Sequence, residues 1–157
     1  MKKDMGRSGM THEAFWVVRT TLDVYLESVW QRRIGANENT LSRLKKFAKA
    51  DRGVFYISTA TLHSGKDRIC EFRQPFTVTG SVEPRGIKVP TLPEDKRLRY
   101  SLPIDLWQAK NPCHISGLIE QLGFIVKKNS WGSYLMQAFI GISREDFHTI
   151  TKSLESK

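Results

Sequence analysis

The chain has 157 residues, 39% of them hydrophobic, with 25 Lys and Arg against 16 Asp and Glu and a formal net charge of +9. That length matches one ordinary domain and is enough to bury a sizeable core without a disulfide or metal staple. It holds no apolar run near the roughly 18 residues a membrane span needs, and no signal-peptide core follows Lys2 and Lys3, so a cytoplasmic protein with no membrane partner is expected.

Residues 1–10, with Lys2, Lys3 and Arg7 among Gly and Ser, read as a flexible basic tail, and residues 11–157 as a single domain. Thr11 has the chemistry of an N-cap and Glu13 that of a first-turn acid. Phe15, Val18, Leu22, Tyr25, Leu26 and Val29 then recur at spacings of three and four until Arg32, Arg33 and Gly35. This pattern predicts a long helix over 12–33, with Trp16 and Trp30 in the core. Its apolar stripe is wide enough to dock a partner or a second copy. A second helix is expected over 38–52. Leu41, Leu44, Phe47 and Ala48 form a narrow apolar stripe there, and Arg43, Lys45, Lys46, Lys49 and Arg52 crowd the other sides.

The period then changes. Residues 53–62 and 68–79 are rich in β-branched and aromatic side chains, and His63 to Lys66 have turn chemistry, so a hairpin is predicted. Pro75 has no N–H to donate, which places it at an edge or a bulge. Residues 80–93 read as a long irregular connection with a short strand at 86–89. A strand at 97–102, a short helix at 104–109 placing Trp107 in the core, and a helix at 114–122 follow. A second hairpin pairs 124–128 with 133–142 around a tip at Asn129 to Gly132. Ser143 with Asp146 resembles a capping box and opens a terminal helix. Helices and hairpins are segregated rather than alternating, which indicates an α+β fold: N-terminal helices, an antiparallel sheet built from two hairpins, and a C-terminal helix. The helix and hairpin of 114–142 have the element order of a winged helix.

The positive excess is spread along the chain, +5 as far as Gly53 and +4 beyond it. Such a surface meets polyanions, because neutralising phosphates releases counterions. A non-enzymatic nucleic-acid-binding protein, for DNA or RNA, is therefore the expected function. Helix two supplies Arg43, Lys45, Lys46, Lys49 and Arg52 as phosphate contacts, and the 85–99 segment supplies Arg85, Lys88, Lys96, Arg97 and Arg99. Lys127, Lys128 and Trp131 form a candidate wing, where lysines meet phosphates and the indole stacks on or wedges between bases.

The alternative from another class is a small basic subunit of a larger protein assembly, docking through helix 12–33. A nuclease would need Asp67, Glu71 and Lys66 around a cation, or His63 and His114 as acid and base. Spacing alone completes neither constellation, so no catalytic residue is assigned. Cys70 and Cys113 match no metal spacing and read as thiols rather than a disulfide, and neither a metal nor a cofactor is expected.

Overall fold

The computed structural model describes residues 13–61, 67–109 and 111–155, so the tail assigned to 1–10 lies outside the described residues. Seven strands form one sheet: β1 (Phe15–Thr20), β2 (Arg33–Ala36), β3 (Arg52–Thr59), β4 (Arg68–Val78), β5 (Tyr100–Leu106), β6 (Cys113–His114) and β7 (Phe139–Ile142). Their order is β2-β5-β4-β3-β1-β7, with β6 pairing beside β5 on β4. The α-helices are α1 (Leu22–Gln31), α2 (Leu41–Leu44) and α3 (Arg144–Glu155). The fold is thus α+β with a C-terminal helix. The sheet, however, is mixed, because the neighbouring strands β1 and β3 run parallel.

Apolar side chains fill both faces of that pair. Val17, Val54 and Tyr56 join one core with Phe72, Ile115, Leu122 and Ile150. Val18, Phe55 and Ile57 join the other with Phe76, Leu102 and Phe139. A strand buried on both faces reads as a continuous apolar run rather than an alternation. This corrects the predicted helix over 12–33. Its first part, FWVVRT, is β1, and such a run fits a helical period as well as a strand. The helix itself starts after Thr21, whose backbone is extended, and closes at Arg32, which adopts a left-handed conformation with φ of 56°. Trp30 is 83% exposed and not in the core. Trp16 is half-buried and stacks on Phe47 with ring centroids 4.3 Å apart.

The predicted helix over 38–52 contracts to the single turn Leu41–Leu44. Asp51, fully buried, explains why. Its carboxylate accepts from the Ala14 and Ala48 backbone N–H groups at 3.0 and 2.9 Å, which fixes a turn where helical bonds would otherwise continue. Arg52 then begins β3.

β3 and β4 pair antiparallel, and residues 62–66 between them lie outside the described set. Pro75 lies in an interior strand, not at an edge. It pairs with Val54 beside a register shift, and it falls between the stretches of β4 that pair with β5 and with β6. The bulge removes the need for its missing donor. Further on, Ile87 and Leu98 make only an isolated bridge where a strand at 86–89 was expected. The strand at 97–102 and the helix at 104–109 give way to one strand, β5. Trp107, beyond its end, is half-buried, packs edge-on to Phe147 at 5.6 Å and donates to Thr77 Oγ1 at 2.8 Å.

The helix at 114–122 is replaced by β6 and two 3₁₀ turns, Ile115–Gly117 and Ile119–Gln121. The second hairpin does not form. Residues Lys128–Leu135 are 3₁₀ turns, and β7 pairs with β1 instead of with 124–128. The winged-helix order therefore dissolves. The terminal helix stands, its first turn capped by Ser143 Oγ, which accepts from Asp146 N–H at 3.0 Å.

Candidate nucleic-acid interface

The parallel pairing of β1 and β3 sets Thr20 opposite Ile57, so both strands end on the same side of the sheet. Beyond those ends β1 turns into α1, and a cleft of about 240 Å³ opens. The space outside the carboxyl ends of parallel strands is where such sheets generally hold ligands. Val18, Ile34, Phe55 and Phe139 give the cleft an apolar lining. Thr20, Thr21, Ser28, Asn37, Thr40, Ser58 and Thr59 add polar groups, and Arg19 and Lys96 bring positive charge.

Local hydrogen bonds hold these residues in place. Ser58 Oγ donates to the Thr20 carbonyl at 3.2 Å, tying the ends of β3 and β1 together. Asn37 Oδ1 accepts from the Asn39 and Thr40 N–H groups at 2.8 and 3.1 Å, a local turn that leads into α2. On the far side, Leu92, Lys96 and Leu98 complete the wall. Their segment is anchored where the Thr91 hydroxyl donates to Asp23 in the first turn of α1.

A second hollow of about 210 Å³ lies at the same strand ends on the other face of the sheet, lined by Tyr56, Arg68, Trp131, Leu135 and Met136. Arg19, Ser58 and Thr59 line both spaces. The Arg68 guanidinium carbon sits 6.0 Å from the Trp131 ring centroid, and Arg19 Nη1 donates to the Met136 carbonyl at 3.3 Å. Burial pushes the Tyr56 hydroxyl pKa far above its ordinary value, so that group stays protonated.

The predicted site residues fall into distinct groups. Lys96 lines the cleft and Trp131 the second hollow. Arg43, Lys45, Lys46 and Lys49 are exposed on and after α2, which follows the cleft residue Thr40. Arg85 and Lys88 are exposed in the connection before β5. Arg97 and Arg99 both reach Glu94, at 3.1 and 3.6 Å. Arg52 pairs with Glu13 at 3.4 Å and lies 5.7 Å from the Trp107 ring centroid. Lys127 is exposed, whereas Lys128 Nζ donates to the Leu122 carbonyl at 2.8 Å.

Sequence reasoning missed Arg19, Arg68 and the Thr20, Thr21, Ser58 and Thr59 hydroxyls. Reading β1 as helix hid the first, and no local motif marks the others. Of the enzymatic candidates, His63 and Lys66 lie outside the described residues. Glu71 binds Arg73 at 3.0 Å and pairs in register with His114. Among the described residues no cluster of three His, Cys, Asp or Glu could hold a metal ion, and Cys70 and Cys113 are free thiols. No described helix is long and apolar enough to cross a membrane.

No family model matches the chain, and none of the curated proteins does. Solved structures do. The YTH domain of Zygosaccharomyces rouxii MRB1 protein, in complex with N6-methyladenosine RNA, is similar with a TM-score of 0.59 and 13% identity, over 92% of this chain and 88% of that one. Human THYN1 protein, in complex with 5-methylcytosine-containing DNA, gives 0.54 and 11% over 92% and 99%. Rpa0253 from Rhodopseudomonas palustris gives 0.55 and 14% over 90% and 92%. The likeness is one of fold.

Proposed function

We propose that this protein binds nucleic acid without catalysing a reaction on it, taking one unpaired base into the cleft beyond β1 and β3. The observation that carries this reading is the cleft's position and make-up. An apolar lining with polar groups and two cations lies at the ends of parallel strands, in a fold shared with proteins solved on methylated RNA and DNA. Its volume is below the roughly 300–1,000 Å³ of drug-sized sites, which suits a single ring system. Threonine and serine hydroxyls offer donors and acceptors to a base edge. A methyl group on that base would meet apolar lining, worth about 0.8 kcal/mol when buried. Unstacking a base from a duplex costs a few kcal/mol, so single strands or mismatches are the favoured substrates.

Phosphates are held around the cleft by Lys96 and by the exposed cations Arg43, Lys45, Lys46, Lys49, Arg85 and Lys88. Lys127 serves a more distant stretch of backbone. Arg97 and Arg99 contribute less, because Glu94 already neutralises part of their charge. Fluorescence anisotropy with labelled single-stranded DNA and RNA, each with and without a methylated base, tests the reading. Binding that weakens with salt and is lost in Ala138→Trp, a substitution at the cleft lining, is the expected result. Absence of binding at low salt overturns it.

A second reading follows from α1, where Leu26 and Trp30 are 55% and 83% exposed one turn apart. As a small subunit of an assembly, the chain would dock through that face. Sedimentation of the full chain and of Trp30→Ala checks this: a wild-type monomer at every concentration removes self-association, and pull-down with unaltered partners in Trp30→Ala removes the docking role.

A further inference from the structure

We infer that the hollow beside the cleft is a second nucleotide subsite. In it, the base next to the one in the cleft stacks on Trp131 while the backbone phosphate lies against Arg19 and Arg68. The inference rests on the cleft being a base site and extends that reading from one nucleotide to two consecutive ones on a single strand.

Continuity is the first argument. Arg19, Ser58 and Thr59 line both spaces, so the two adjoin across the ends of β1 and β3. The cleft lies on the Val18 and Phe55 face of the sheet and the hollow on the Tyr56 face, so a chain reaches one from the other by rounding those strand ends. Size is the second. At about 210 Å³ against 240 Å³, each space suits one ring system and neither holds two.

Charge and aromaticity are the third. Arg33, Arg52, Arg73, Arg97 and Arg99 are each paired with a carboxylate. Among the described residues neither Arg19 nor Arg68 has one within ion-pair distance. Neither guanidinium is matched by a carboxylate there, although Arg68 also meets the Cys70 side chain, and the guanidinium fork suits phosphate oxygens. Trp131 is half-buried, which fixes the ring while leaving part of it accessible to a base. Met136, 69% exposed, supplies an apolar edge on which a base can also rest. A single carboxylate ligand would use the arginines and leave the indole idle. A base joined to a phosphate uses both.

The test uses the full chain, a fluorescein-labelled single-stranded oligonucleotide read by anisotropy, and a single nucleoside monophosphate read by calorimetry. Trp131→Ala should weaken oligonucleotide binding about five- to hundredfold, the range measured for loss of one stacked base, and Trp131→Phe should recover most of it. Arg68→Ala, at an exposed position, should weaken it and lower the salt slope by about 0.7. Mononucleotide binding should stay within about twofold in all three, because one nucleotide occupies the cleft alone. If Trp131→Ala and Arg68→Ala bind the oligonucleotide like wild type while Ala138→Trp abolishes binding, the second subsite is refuted and the cleft reading survives. If wild type binds neither probe, the cleft reading itself falls. Should circular dichroism show Trp131→Ala unfolded, Arg68→Ala decides by the same criteria.

Discussion

The Trp16 indole donates a hydrogen bond to the buried Asp51 carboxylate at 3.1 Å, joining β1 to the turn that launches its parallel neighbour. The same carboxylate accepts from the Ala14 and Ala48 N–H groups. Asp51→Ala strands at least these three donors, each costing about 1–3 kcal/mol when left without a partner. A loss of about 3 kcal/mol or more in urea unfolding is expected, and Asp51→Asn should lose less. Equal stability of Asp51→Ala and wild type would show that the turn does not depend on this carboxylate.

Cations in similar stretches of sequence should differ in what they do. Lys96→Ala removes a charge at the cleft and should lower the salt slope of nucleic-acid binding by about 0.7–0.9. Arg97→Ala and Arg99→Ala should change it less, since Glu94 is freed as each partner leaves. Arg52→Ala should lower the melting temperature through loss of its Glu13 pair and Trp107 contact, with the salt slope unchanged. Parallel anisotropy titrations and melts of the four variants check this.

Alkaline pH should destabilise the fold. Burial raises the pKa of both Tyr25 and Tyr56, with Arg73 opposing the shift at Tyr25. In the unfolded chain a tyrosine loses its proton at about pH 10. Above that pH the folded state binds more protons than the unfolded one, so stability is full below about pH 10 and falls as pH rises. Urea midpoints should hold from pH 8 to about pH 10 and fall beyond it, and Tyr56→Phe should shallow the decline. An identical slope in the variant would place the titrating group elsewhere.

At the start of α3, Ser143 and Asp146 divide what a capping box usually shares. Ser143 Oγ accepts from the helix N–H of Asp146, while the Asp146 carboxylate accepts from Gly123 and Phe124 N–H at 2.8 and 2.9 Å. Ser143→Ala should therefore cost about 1 kcal/mol, a typical cap. Asp146→Ala should cost more, because it also releases the 123–124 loop from the helix, and amide exchange at Gly123 and Phe124 should accelerate. Unchanged exchange there would rule out the bridging role.

The strand character of β3 and β4 and the α3 helix with its Ser143 cap were legible in the residues themselves, because each depends on neighbours a few positions away, whereas Pro75 left edge and bulge both open. Net charge is likewise a property of the sequence alone, and the expectation of a polyanion partner rests on it. Tertiary structure alone decided that 15–20 is a strand, that the helix around 38–52 stops after one turn, and that 139–142 pairs with β1. A segment apolar on both faces carries no period of its own, and a buried carboxylate such as Asp51 overrides local helical preference. The cleft was invisible for the same reason. Its lining comes from β1, α1, β2, β3, the 92–98 segment and the start of β7, and only the non-local pairing of Thr20 with Ile57 brings them to one place.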